Sequence, residues 1–169
     1  MAIPADPVRR SARVLLVDGD GRVLLFFNHG SAARGRDYYF TVGGGVEDGE
    51  SLAGAAAREV FEETGLRVAP EALGPVVCRR EGRWRSNSGI RYWAEEHYFL
   101  LRVDRFEPDF RGMEEGERDE VARHAWLSPA DLDAVDAIVF PIGLAGLLEQ
   151  LLGGGRPGVP IELPWVDLP

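Results

Sequence analysis

The sequence contains no lysine; all nineteen of its basic residues are arginine. That absence excludes chemistry built on a primary amine: a P-loop lysine under phosphates, a Schiff-base lysine, or a kinase-type phosphate lysine. Cysteine is nearly missing too, with Cys78 alone. One thiol can form neither an internal disulfide nor a cysteine-cluster zinc site, and it suits a reducing compartment. Long apolar runs are also lacking. The run Val14 to Val17 follows Arg9 and Arg10 but stops at Asp18, too short for a signal-peptide core or a membrane span. These features predict a cytoplasmic protein with no membrane association. Positive charge is in deficit, 19 basic against 28 acidic residues, for a net charge of −9. Such a surface has the wrong sign for holding a nucleic-acid polymer, although small anions remain accessible through a bound cation.

What is present reads as one domain. A chain of 169 residues, 45% hydrophobic and 28% charged, can bury a core without covalent staples. We read residues 1–169 as a single domain with a Pro/Gly-rich C-terminal tail from about residue 153, lying along the surface. Ala12 to Val17, the turn Asp18-Gly19-Asp20-Gly21, and Arg22 to Phe27 predict a hairpin. A polar, Gly-containing loop follows over 28–36, and Tyr38 to Val42 is a strand that runs into Gly43-Gly44-Gly45. Ser51 to Thr64 changes to a helical pattern, with Ser51 placed to cap its start and Gly65 its end. Leu73 to Arg80 and Tyr92 to Val103 predict a second hairpin, with Cys78 buried in its first strand. Residues 104–120 read as an acidic loop and Val121 to Leu127 as a last strand. A short helix from Ser128-Pro129 through Val135 and an apolar helix from Phe140 to Leu152 complete the chain. Strands and helices in this irregular order predict a mixed α/β (α+β) sheet with helices on its faces.

A helix advances about 100° per residue, so Glu59, Glu62 and Glu63 share one face while Ala53, Ala57, Val60 and Phe61 are expected on the other. Like charges one turn apart destabilise a helix by a few tenths of a kcal/mol. Arg58 can pair with Glu62 but cannot neutralise three carboxylates. A solvated acidic face is one reading of them; a site for a hard divalent cation such as Mg²⁺ or Mn²⁺ is the other.

The surroundings favour the second. The stretch from Gly44 to Leu66 spans 23 residues, counting 44 through 66, and places Gly44, Glu50, Arg58, Glu59, Val60, Glu62, Glu63, Gly65 and Leu66 at fixed spacings. It resembles the Nudix box: Gly, five residues, Glu, seven residues, Arg-Glu, an aliphatic residue, any residue, Glu-Glu, any residue, Gly, aliphatic. Many relatives carry Pro ahead of this Gly pair, where this chain has Val42 and Gly43. The resemblance implies an α/β/α sandwich with its catalytic strand, loop and helix at residues 38–66. It also implies hydrolysis of a diphosphate linkage in a nucleoside diphosphate derivative or related organic diphosphate. By resemblance Glu59, Glu62 and Glu63, with the Gly44 carbonyl, hold Mg²⁺ or Mn²⁺, Arg58 orients a carboxylate, and Glu50 supports Arg58. Relatives often draw a general base from a loop ahead of the last strand, which nominates Glu117 or Glu120 beside Glu62. The family resemblance further leaves room for a homodimer.

Ahead of the box, Arg34, Arg36, Tyr38, Tyr39 and Phe40 offer phosphate contacts and stacking surfaces. We nominate Arg36, Tyr38 and Phe40 as substrate-binding candidates, against the plainer reading of packing residues. Trp84 and Trp93, with Arg83, Arg85 and Arg91, mark a hairpin tip that suits substrate recognition, a subunit contact, or simple exposure. His29, His97 and His124 make no ligand spacing and are read as structural or surface residues. Two other functions stay open on these residues: a non-catalytic nucleotide-binding or regulatory domain on the same fold, and an isomerase of prenyl diphosphates, which would call for a reactive Cys78 beside the glutamates.

Overall fold

A computed structural model describes residues 6–30, 35–86 and 88–166. In chain order the elements are β1 (Val8–Val17), β2 (Val23–Asn28), β3 (Tyr38–Gly45), α1 (Leu52–Thr64), β4 (Cys78–Arg85), β5 (Arg91–Arg102), α2 (Glu115–Glu120), β6 (Arg123–Leu127), α3 (Pro129–Ala134), β7 (Ile138–Val139), α4 (Leu144–Gly154) and β8 (Ile161–Glu162).

Alternation along β1 decides where the layers go. Val14 and Leu16 face one side of the sheet and Leu15 and Val17 the other, and none of the four has exposed surface. A strand apolar on both faces belongs in the middle of a covered sheet. Accordingly β1 lies between β3 and β5 in the order β6-β2-β3-β1-β5-β4-β8, with β7 beside β3. On one side α1 packs through Ala55, Ala56, Ala57 and Val60 onto Val14, Leu16, Leu24, Phe26 and Phe99. On the other, α3 and α4 supply Leu132, Leu144, Leu147, Leu148 and Leu151 against Leu15, Leu25, Tyr98 and Leu100. Each buried Val, Leu or Phe side chain among these contributes roughly 1.5–3 kcal/mol by leaving water. The result is the expected mixed sheet between helical layers. Among the described residues no helix is long and apolar enough to cross a membrane.

The first expected hairpin is nearly absent. β1 and β2 share a single bridge, Val17↔Val23, whereas β1 runs parallel to β5 from Val8↔Trp93 to Val17↔Arg102. β3 is antiparallel to both β1 and β2. On either side of β3, β1 and β2 therefore run in the same direction, so they meet as hairpin arms only at that one bridge. The Asp18 carboxylate closes the turn by accepting the Asp20 and Arg22 amides, each at 2.9 Å.

Three boundaries differ from the sequence reading. Strand β4 begins at Cys78 rather than Leu73, because residues 70–73 form a 3-10 turn whose Leu73 plugs the α1-side core. The stretch read as an acidic loop contains a 3-10 turn at Phe110–Gly112 and the helix α2, anchored by buried Met113 and by Arg118 donating to the Met113 carbonyl. The apolar helix starts at Leu144, since Ile138 and Val139 pair with β3 and Pro141 and Gly143 intervene before the first turn.

The C-terminal tail also departs from a plain surface course. Ile161 and Glu162 extend the sheet parallel to β4, and Trp165 lies over the Arg80 guanidinium at 4.7 Å. It can do so because Gly82 in β4 has no side chain where the indole rests.

Candidate active site

Strand β3 delivers the chain to Gly43-Gly44-Gly45, and the loop 46–50 returns it to α1. Ser51 caps that helix by accepting the Gly54 amide at 3.0 Å, and Gly65 closes it in a left-handed conformation, as the sequence predicts. The core stripe runs through Ala56, Ala57, Val60 and Thr64. Glu59 and Glu63 flank that stripe and are 7% and 6% exposed, while Glu62 stands further out. So the acidic face is largely buried. Phe61, expected in the core, is instead 38% exposed, with the Arg67 guanidinium 4.2 Å over its ring.

Two glycines let carboxylates lie against backbone. The Gly43 amide donates to Glu63 Oε2 at 2.7 Å, from a φ of 130° that few side-chain-bearing residues adopt. A Cβ on Gly44 would stand 2.6 Å from Glu59 Oε1, so Gly44 is the position the Glu59 carboxylate covers. Burial pushes the Glu63 carboxyl up to about 8, more than the Gly43 hydrogen bond offsets, with Glu59 adding repulsion. Burial also raises Glu59, against the pull of Arg58.

Arg58 organises the rest. It donates to both oxygens of Glu50 at 3.0 Å, to Glu59 at 2.9 Å, to Glu62 at 3.1 Å and to the Gly45 carbonyl at 2.9 Å. The bidentate partner holds the Glu50 carboxyl below its ordinary range. These contacts open onto a cleft of about 280 Å³ lined by Glu47, Glu59, Glu62, Glu114, Glu117 and Arg58. Among the described residues no three His, Cys, Asp or Glu side chains are already gathered as a metal cage; Arg58 bridges Glu59 and Glu62 instead. The donors are hard oxygens in charge excess, the chemistry that suits Mg²⁺ or Mn²⁺.

The other sequence candidates divide. Glu117 lines the cleft with the box glutamates. Glu120, one turn from it, does not, and its backbone carbonyl accepts from the Asn28 side-chain Nδ2 instead. Glu47 and Glu114 line the cleft although the sequence did not single them out. Glu114 and Glu117, three residues apart at the start of α2, give a signal of the same kind as the box, hidden because the stretch read as a loop. Arg36 pairs with Asp136 at 3.8 Å; Tyr38 is buried against Phe40 and Phe140, and Phe40 packs on Phe26. None of the three lines the cleft: Tyr38 and Phe40 share the α1 face of the sheet but lie at the start of β3, where they pack with Phe26 and Phe140 rather than reaching Gly44. Arg34 lies outside the described residues. Cys78 is fully buried on the α4 side, opposite the glutamates, and burial pushes its thiol up to about 12, which removes the reactive thiol that an isomerase reading needs.

A family model described as the NUDIX domain matches residues 7–143. The chain belongs to the Nudix family. A Mycobacterium tuberculosis protein, named provisionally as the mutator protein MutT4, is 32% identical over 133 residues, 78% of this chain and 49% of that protein. The chain therefore spans about half the length of the curated relative it matches. Among solved structures, the MutT protein of Methanosarcina mazei Go1 superposes with a TM-score of 0.62 at 18% identity, covering 92% of this chain and 100% of the other. A bifunctional NMN adenylyltransferase/ADP ribose pyrophosphatase of Francisella tularensis, complexed with AMP and a Mn ion, gives 0.57 at 19% identity over 89% of this chain and 43% of that one. At these identities the likeness is one of fold.

Proposed function

We propose that this chain is a metal-dependent Nudix hydrolase that cleaves a diphosphate linkage in a nucleoside diphosphate derivative or related organic diphosphate, by water attack at phosphorus. One observation carries the reading: the box glutamates Glu59 and Glu62 and the remote Glu117 face one cleft, ordered by Arg58. Glu59, Glu62 and Glu63, with the Gly44 backbone, would hold Mg²⁺ or Mn²⁺, and a Mn ion in the Francisella tularensis relative is in keeping with that. A cation held by those residues would supply neutralisation of the charge on the phosphoryl oxygens and a lowered pKa for water.

The protein's own groups supply the rest. Glu117 stands across the cleft from α1, separate from the residues Arg58 engages, and is the better placed of the two sequence candidates to take the proton of the attacking water. The water oxygen then bonds to phosphorus as the bridging P–O bond breaks and the leaving phosphate departs with its electron pair. Arg58 fixes Glu59 and Glu62 throughout. Water is the nucleophile, so no covalent intermediate is needed. A cytoplasmic setting, read from the single thiol, belongs to the same proposal.

The test is release of phosphorylated products from a panel of nucleotide and other organic diphosphates with Mg²⁺ or Mn²⁺, alongside Glu62→Gln and Glu117→Gln. Turnover that collapses in Glu62→Gln supports the reading. If no diphosphate is turned over while nucleotides still bind, the chain is a binding domain and the enzyme reading fails.

A further inference from the structure

Strand β1 carries a charge just ahead of its apolar run Val14 to Val17, at Arg13. Alternation puts Arg13 on the same face as Leu15 and Val17, the α4 side of the sheet, away from the box glutamates. Its side chain is only 22% exposed there, and a guanidinium drawn that far out of water has to be matched. Glu96 supplies one match, with its Oε1 3.4 Å from Arg13 Nε. The others are backbone groups of β3: Arg13 Nη1 donates to the Thr41 carbonyl at 3.0 Å and to the Gly43 carbonyl at 3.2 Å.

The place of those carbonyls decides what the contacts do. β1 and β3 are paired with Arg13 opposite Gly43 and Ala12 opposite Gly44. The strands close tightly at this point, since a Cβ on Gly43 would stand 2.4 Å from the Ala12 carbonyl oxygen. Gly43 is thus gripped from both faces of the sheet. Its amide donates to Glu63 on the α1 side, and its carbonyl accepts from Arg13 on the α4 side. That carbonyl belongs to the Gly43-Gly44 peptide unit, which is planar, so fixing the oxygen fixes the plane from which Gly44 continues. Three successive glycines have the widest conformational freedom and no side chains to limit it. Arg13 limits it from behind. It is itself held in place, because Arg80 and the Tyr98 hydroxyl each grip Glu96 at 2.6 Å.

We propose that Arg13 is a positioning residue of the active site: acting through the Gly43 carbonyl, it fixes the Gly43-Gly44 peptide plane so that the Gly44 backbone and the Glu63 carboxylate are presented together to the divalent cation. The proposal rests on the metal-dependent hydrolase reading and adds to it a residue outside the box, on the opposite face of the sheet. Arg80 is the matching control. It is a second guanidinium on Glu96, but its other neighbours are the Trp165 and Phe140 rings rather than the glycine loop.

Arg13→Lys and Arg80→Lys test it, since each keeps a cation beside Glu96 and loses the planar fork. Two readouts need no turnover. The first is the Gly43 amide proton in nitrogen-15-labelled protein in EDTA, which its carboxylate partner shifts downfield. Arg13→Lys should move or broaden that signal, and Arg80→Lys should leave it in place. The second is calorimetry with Mn²⁺. Groups one step removed from a metal ion contribute 10- to 100-fold in affinity, so Arg13→Lys should weaken Mn²⁺ by at least about tenfold and Arg80→Lys by less than about twofold. In turnover, the metal midpoint of Arg13→Lys should rise by the same factor while kcat returns at saturating metal. If Arg13→Lys does not fold, the double variant Arg13→Gln with Glu96→Gln, which removes both charges of the pair together, is read in the same way. An unmoved Gly43 signal, or an equal loss of Mn²⁺ affinity in the two lysine variants, overturns the proposal and leaves Arg13 as a structural partner of Glu96. The two readings fail separately: Mn²⁺ binding that depends on Arg13 with no diphosphate turned over keeps the positioning role and removes the hydrolase, and turnover with a Gly43 signal and a metal affinity indifferent to Arg13 does the opposite.

Discussion

Glu63 and Glu96 are equally buried, at 6% and 8% exposure, on opposite faces of one sheet, and they are treated in opposite ways. Glu96 sits in a closed set of partners: Arg80 at 2.6 Å, the Tyr98 hydroxyl at 2.6 Å and Arg13 at 3.4 Å. Burial alone would raise its carboxyl, but the two guanidiniums overturn that and hold it at about 2. Glu63 has one backbone amide and, through space, a share of Arg13, and its carboxyl rises to about 8. Arg13 links the two, donating to the Thr41 and Gly43 carbonyls at 3.0 and 3.2 Å. A buried carboxylate matched by cations within the fold is structural. One left in excess is where a cation from outside belongs.

The comparison breaks most easily at Glu96. Glu96→Ala strands two guanidiniums in the interior, and removing one partner of a buried pair costs about 3–5 kcal/mol. Urea unfolding should show that loss, and a loss below about 1 kcal/mol would mean that the network is not balanced by Glu96. Acid supplies a second arm. A carboxyl held at about 2, below the ordinary 4.5, contributes stability that is present above pH 4.5 and is lost as pH falls from 4.5 toward 2. Glu96→Ala should remove that part of the acid dependence.

Glu63→Gln should do the reverse. The amide oxygen still accepts from Gly43, and the excess charge is gone, so stability without metal should hold within about 0.5 kcal/mol. Turnover should nevertheless fall by at least about 100-fold, since even groups one step removed from a metal cost 10- to 100-fold. A variant that keeps wild-type turnover would take Glu63 out of the site.

How much of this was visible in the sequence follows the same division. The box was legible because its residues lie on one short strand, loop and helix, where local spacing fixes geometry. Glu96 and Arg13 were not, because β1 and β5 meet through a parallel pairing that no local pattern announces. Arg36, Tyr38 and Phe40 had the right chemistry at the wrong end of β3, where the two rings share the α1 face but pack with Phe26 and Phe140. The C-terminal strand was hidden in a Pro/Gly-rich tail, and what admits its Trp165 is the missing side chain at Gly82.

That last contact gives a smaller test of the matched side. Trp165 covers Arg80, so Gly82→Val should displace the indole and wet the guanidinium that Glu96 needs dry. Overpacking of this kind costs about 1–3 kcal/mol. Hydrogen exchange should show β8 losing protection before the rest of the sheet; an unchanged pattern would mean that β8 is held by its backbone pairing alone.

The smallest expected effect falls on the unmatched side, at Glu50. This carboxylate takes two of Arg58's hydrogen bonds and leaves the remainder for Glu59, Glu62 and Gly45. Glu50→Gln retains one acceptor and sets an NH₂ against a donor-only guanidinium. Arg58 would then lean further onto Glu59 and Glu62 and neutralise the charge a metal ion requires. The expected result is a loss of about tenfold in Mg²⁺ or Mn²⁺ affinity, the lower end of what such supporting groups contribute, with kcat recovered at saturating metal. Titrating activity against metal concentration separates the two quantities. If kcat falls instead and the metal midpoint stays put, Arg58 acts on the substrate, and the excess charge of the cleft is not what Glu50 protects.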